Sequence, residues 1–172
     1  MIKNIYFDTD CLCSFLWVNK EDILLKLYAN RIIVPKQVYE ELSNPCVPHL
    51  KNQIDQLVSN NKVEVKAINI SQLSLYKEIT DGKSYKGIGK GEASAIILAL
   101  PTRGILASNN MKDIDYYIKL YKLEHLTTGK ILKEALGKNI IDELEGNDIW
   151  NEMRQKRRTL PCSTFSEYLK TK

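Results

Sequence analysis

Histidine and cysteine, the side chains that bind transition metals best, are few and poorly placed in this chain of 172 residues. The only two histidines are His49 and His125, and the four cysteines, Cys11, Cys13, Cys46 and Cys162, form no C-x-x-C pair. That weighs against a zinc site and leaves the cysteines as reduced thiols and the histidines as structural residues. Long apolar runs are missing too, so no segment approaches the roughly 20 residues of a membrane helix. The first residues, MIKNIYFDTD, place an acid where a secretion signal would still be apolar. A cytoplasmic protein without membrane contact is expected. The glycines of KGIGKG are not embedded in G-x-x-x-x-G-K-[ST] and do not follow a strand, which argues against a phosphate-binding loop. We find no repeat, linker or low-complexity tract.

What is present suits one domain: 44% hydrophobic residues are ample for a core at this length. The charge is unevenly spread. From Trp150 onward the chain carries Arg154, Lys156, Arg157, Arg158, Lys170 and Lys172 against Glu152 and Glu167, which equals the whole net charge of +4. Such a tail is able to follow a polyanion or to be a solvated helix face. Short apolar runs, IKNIYF, RIIVP, VEVKAI and GILAS, with a brief one around His125, read as strands. Between them lie helical patterns: EDILLKLYA, PKQVYEEL with Pro35 as its first residue, Leu50 to Val58, Leu73 to Ile79, GEASAIILAL, DIDYYIKLYKL and TGKILKEAL capped by Thr128. Two more helices follow, near Ile141 to Gln155 and Thr164 to Leu169, whose Trp150, Met153, Phe165 and Leu169 are expected to pack on the body and leave Arg157 and Arg158 outside. The DTD after the first strand reads as a loop, and Lys77 to Lys90 as a mobile one. Alternation of strand and helix predicts an α/β fold, a parallel sheet with helices on both faces.

In such sheets ligands bind beyond the carboxyl ends of the strands, where strand order reverses. Four acids fall near that end. Asp8 follows the first strand, although an acid there also serves as a turn or cap residue. Glu41 lies on the helix after the second strand, beside the stripe marked by Val38 and Leu42, better placed to look inward than Glu40. Glu92 opens the small, apolar helix GEASAIILAL, and Asp113 begins the helix after SNNMK. Carboxylates gathered in one crevice repel one another unless a cation neutralises them, and hard oxygen ligands suit Mg²⁺ or Mn²⁺. That chemistry points to phosphoryl transfer.

The segments YFDTD, VPKQVYEELS, GKGEASAIILAL and GILASNNMKDID, with their spacing, resemble the PIN-domain ribonucleases, in particular the toxins of bacterial toxin–antitoxin pairs. The resemblance covers about Ile2 to Thr128. It implies a PIN-like nuclease domain over residues 1–137, with a C-terminal helical extension, residues 138–172, on the same body. It further implies RNA cleavage at a site where Asp8, Glu41, Glu92 and Asp113 are catalytic. Asp8 and Glu92 would hold the principal ion, and Glu41 and Asp113 would position a second ion or activate water. Ser108 and Asn110 would support them, Ser108 by a hydrogen bond to Asp8. The family loop after the fourth strand tolerates amides, so SNNMKD fits it with fewer charges. Lys83, Lys86, Lys90, Arg157 and Arg158 are expected to hold the RNA backbone. An antitoxin partner and a homodimer follow only from the resemblance.

Two other readings compete. FDTD and LASN resemble motifs of haloacid-dehalogenase-type phosphatases, with Asp8 as nucleophile and Asp10 as acid, but no later strand ends in the Gly-Asp pair that family needs. Alternatively the domain is a catalytically degenerate module that binds RNA or a partner, a reading kept open by Asn109 and Asn110.

Overall fold

The strands are apolar on both sides because both sides are covered. In a computed structural model, which describes residues 2–43, 47–83 and 85–171, β1 (Ile5–Phe7) sends Ile5 and Phe7 into one core and Tyr6 into the other. β2 (Ile32–Pro35) splits in the same way, Ile32 and Val34 against Ile33. This is the period-two alternation of a strand buried on two faces. β3 (Glu64–Lys66), β4 (Ile105–Ala107) and β5 (Glu124–Leu126) complete a five-stranded sheet in the order β3-β2-β1-β4-β5, every neighbouring pair parallel. The sheet steps outward from β1 through β2 to β3, and β4 then returns to the other side of β1. Strand order therefore reverses between β1 and β4, which makes their carboxyl ends the expected crevice.

One face of the sheet is covered by α5 (Leu73–Asp81), α6 (Lys90–Ala99) and α7 (Met111–Tyr121). The other is covered by α1 (Thr9–Leu16), α2 (Glu21–Tyr28), α3 (Lys36–Leu42), α4 (Pro48–Ser59), α8 (Thr128–Gly137), α9 (Glu143–Gln155) and α10 (Phe165–Leu169). No helix among the described residues is long and apolar enough to cross a membrane. The α/β architecture is the one the sequence predicts.

Several local readings are corrected. The chain after Phe7 is a helix, not a loop: Asp8 caps α1 by accepting the Cys11 amide at 2.7 Å. Pro35 ends β2, paired with Lys66, and only caps α3. Thr127, not Thr128, caps α8, its hydroxyl accepting from Lys130 N. The first five residues of the expected loop from Lys77 belong to α5, whose end is closed by Gly82 at φ 71°, a conformation that favours glycine. Cys11, Cys13 and Cys162 are free thiols; Cys46 lies outside the described residues.

The tail is built into the body. Trp150, Met153 and Phe165 are fully buried, and Leu169 packs against the same cluster. The Trp150 indole donates to the Cys162 carbonyl at 3.0 Å, and its ring lies 5.7 Å from Phe165. Gly129 at the start of α8 lets Tyr168 come so close that a β-carbon there would sit 2.5 Å from the ring. A large buried aromatic with this much contact makes the tail part of the folding unit. Trp150→Ala is expected to lower the unfolding free energy by about 3–5 kcal/mol, seen as an earlier midpoint in a single urea transition. A loss below about 1 kcal/mol, or a separate early transition, would show that the tail folds independently.

Candidate active site

Asp8 sits where the sheet places it. Its amide donates to the Ala107 carbonyl at 2.9 Å, stitching the end of β1 to the end of β4. The residue is 1% exposed. Oδ1 accepts the Cys11 amide, while Oδ2 is buried with no partner in hydrogen-bond geometry; the Ser108 hydroxyl stands near enough to favour the charged form but does not make the hydrogen bond that was expected of it. Burial raises the carboxyl to about 7, opposed by the neighbouring Ser108 hydroxyl and the Cys11 amide and reinforced by the charges of Asp10 and Glu92. A buried carboxylate oxygen without a donor is costly unless a proton or a cation meets it.

The other acids arrive in pairs around it. Thr9, the first residue of α1, donates its hydroxyl to Glu41 on α3. Gly91 of α6 makes room for that contact, since a β-carbon there would lie 2.8 Å from Thr9 Oγ1 and 3.4 Å from Glu41 Oε2. Glu40 instead pairs with Lys36 in solvent, at 3.7 Å. Glu92, in the first turn of α6, folds one carboxylate oxygen back over Gly89 and accepts the Asn110 amide at 3.2 Å on the other. The same Asn110 nitrogen reaches Asp113 Oδ2 at 2.6 Å. Lys86 takes Asp113 Oδ1 at 2.5 Å, and these partners hold the Asp113 carboxyl below its ordinary range, Lys86 first.

Asn109 faces the other way. It donates to Thr128 Oγ1 at 2.9 Å and to Asp10 Oδ2 at 3.2 Å, and accepts the Thr128 amide at 2.9 Å, locking the end of β4 to α8. Asp10 also meets Arg158 at 3.4 Å. Arg158, expected outside, is thus drawn into the crevice. Lys83, Lys90 and Arg157 are exposed. His125 donates its ring Nε2–H to the Ser108 carbonyl at 2.8 Å, and burial lowers its pKa, so it is a neutral strut. A groove of about 820 Å³ runs past Asp10, Glu92, Asn109, Asn110 and His125.

The acids therefore meet at one end of the sheet, but not as the tight cluster that was expected. Among the described residues no three His, Cys, Asp or Glu side chains stand close enough to share an ion. Amides and basic side chains hold them as separate pairs. Thr9 is a contributor the sequence did not mark, and Asp10 and Asn109, which the sequence placed only in the alternative readings, contribute too. The signal for Thr9 and Asp10 was Asp-Thr-Asp ahead of the apolar CLCSFL, an N-cap at the start of a helix; nothing local marked Asn109 as a partner of Asp10.

A parallel sheet with acids at its switch point is common to several enzyme classes, so the class comes from family membership. A family model for the PIN domain matches residues 4–171, almost the entire chain including the tail, and the chain belongs to the PIN-domain family. No curated protein matches it. PIN domains in general are nucleases that use divalent metal ions. That membership sets the phosphatase reading aside.

Because burial raises Asp8 from 3.8 to about 7, the folded chain keeps a proton over a range in which the unfolded chain has lost it. The stability from this group is complete below the unfolded value and is lost as pH rises through about 7. Metal-free protein is expected to lose about 2–3 kcal/mol on this account between about pH 5 and pH 7. Asp8→Asn keeps an oxygen for the Cys11 amide and removes the charge, so urea denaturation should show a flatter pH profile. Equal slopes in the two proteins would refute the assignment.

Proposed function

We propose that the protein is a cytoplasmic, metal-dependent endoribonuclease acting as the toxin of a toxin–antitoxin pair. The observation that carries the proposal is Asp8 Oδ2, a buried, unpartnered oxygen at the β1–β4 junction with Asp10 and Glu92 acting on it. The donors around it, carboxylates, amides and a hydroxyl, are hard oxygen chemistry and fit Mg²⁺ or Mn²⁺. Asp8, Glu92 and Asp113 would hold the ion once Asn110 and Lys86 release the carboxylate oxygens they occupy, since the three do not stand within reach of one ion as they are. When bound, it supplies Lewis acidity, offsetting the repulsion of the carboxylates and the charge that builds on phosphodiester oxygens.

The chain's own residues do the rest. Asp8 is fixed by its cap and by the sheet; Thr9 orients Glu41 toward the crevice; Asn110 keeps Glu92 and Asp113 within reach of one another. Glu41 would position a water against a phosphodiester, and Ser108 steadies Asp8. Lys83, Lys86, Lys90, Arg157 and Arg158 would hold the RNA backbone, Lys86 and Arg158 by exchanging their carboxylate partners for phosphates. Through the resemblance the proposal extends to an antitoxin partner and a homodimer.

A second reading, a degenerate module that binds RNA or a protein, draws on one observation: both oxygens of Asp113 and both of Asp10 already have protein donors. One assay separates the two. Wild type incubated with a panel of structured RNAs and Mn²⁺ should cut, and Asp8→Asn and Glu92→Gln should reduce the rate by on the order of 100-fold or more. Indistinguishable behaviour of all three proteins would leave the module reading standing.

A further inference from the structure

Beside the candidate site lies a surface that no step above uses. Tyr85 and Tyr116 stack with ring centroids 4.0 Å apart and planes 13° from parallel, and Tyr117 meets both edge-on at 6.3 and 5.2 Å. Tyr85 is nonetheless 46% exposed. The pair lines a second groove, of about 760 Å³, with Lys112 and Lys119 on its walls. Tyr116, half-buried against the core, thus carries an exposed ring on its outer side. Nothing in the acid site needs it.

Two observations tie it to the acids. Met111 and Lys112 line both grooves, so the aromatic surface continues directly into the crevice at Glu92 and Asn110. Lys86, the residue after Tyr85, is the one that pairs with Asp113, and its carbonyl accepts the Tyr117 hydroxyl at 3.1 Å. The segment carrying Tyr85 is thereby fixed at the mouth of the site.

We infer that the Tyr85–Tyr116 pair is a stacking platform for an unpaired base of single-stranded RNA, next to the phosphodiester that the acids would address. Every base has a π-face, so stacking on an aromatic ring is tolerant of sequence but requires an unpaired base. Lys112 and Lys119 line the groove with Asp115, which pairs with Lys119 at 2.5 Å, and Lys86 beside it pairs with Asp113, so the local balance is one positive charge, enough for a single phosphate of that strand. The inference rests on the ribonuclease reading and adds to it a base-stacking subsite beside the acids.

The test measures binding in EDTA, where cleavage is blocked, by fluorescence anisotropy of a labelled single-stranded oligoribonucleotide and of the same sequence in a duplex. Tyr85→Ala and Tyr116→Ala should weaken single-strand binding by roughly 5- to 100-fold, leave duplex binding unchanged, and Tyr85→Phe should bind as wild type does. Tyr85 is exposed, so its variants retain the fold. If wild type binds and cuts RNA while the alanine variants bind single strands equally well, this inference fails and the nuclease reading survives. If wild type neither binds nor cuts any RNA, both fail. If Tyr85→Ala alters self-association or docking of a protein while RNA binding is unchanged, the surface is a protein interface and the inference is wrong.

Discussion

A single carboxylate serves both the fold and the site. One oxygen of Asp8 caps α1; the other is sealed from water at the point where β1 and β4 diverge, with no donor of its own. The cap fixes the direction of the side chain, and the Asp8 amide bonded to Ala107 fixes its position across the sheet. Neither oxygen is free to relax. The parallel order β3-β2-β1-β4-β5 creates the crevice, and Asp8 is the charge set at its base.

Around that fixed charge the remaining acids are kept apart by neutral and positive donors. Asn110 spans Glu92 and Asp113; Asn109 and Arg158 share Asp10; Lys86 holds Asp113. Unpaired carboxylates at such distances would raise one another's pKa, as Asp10 and Glu92 do to Asp8. An amide contributes directed donors without adding charge, so the two asparagines stabilise an acidic crevice that bare carboxylates would strain. The same arrangement lowers the total negative charge offered to a cation, which favours weaker metal affinity than an all-acid loop would give.

The sheet, and the acid following β1, were legible because both are local: an apolar run ending in Asp is read within a few residues. Helical spacing beside Val38 and Leu42 favoured Glu41 over Glu40; Glu41 does reach Thr9 while Glu40 turns to Lys36, but both residues are exposed. What escaped was either short or distant. The eight residues of α1 were hidden by the turn-like DTD, so capping by Asp8 was legible only as an alternative to its place in the site, and the placement of Thr9 was lost. Pro35 fitted a helix start by propensity, yet the pairing of β2 with β3 held it in the sheet. The partners Arg158 and Asp10 are 148 residues apart and Lys86 and Asp113 are 27 apart, and no periodicity links residues across such separations. Lys86 and Arg158, both expected to hold an RNA backbone, are found on carboxylates instead, Arg158 half-buried and Lys86 still exposed.

Diffraction at the manganese absorption edge, from crystals soaked in Mn²⁺, addresses the central claim with least inference. The account predicts an anomalous peak in contact with Asp8 Oδ2 and the Glu92 carboxylate, reached without rearrangement of the sheet. A saturating soak that leaves Asp8 Oδ2 bare, with manganese only on distant surface carboxylates or nowhere, would contradict it.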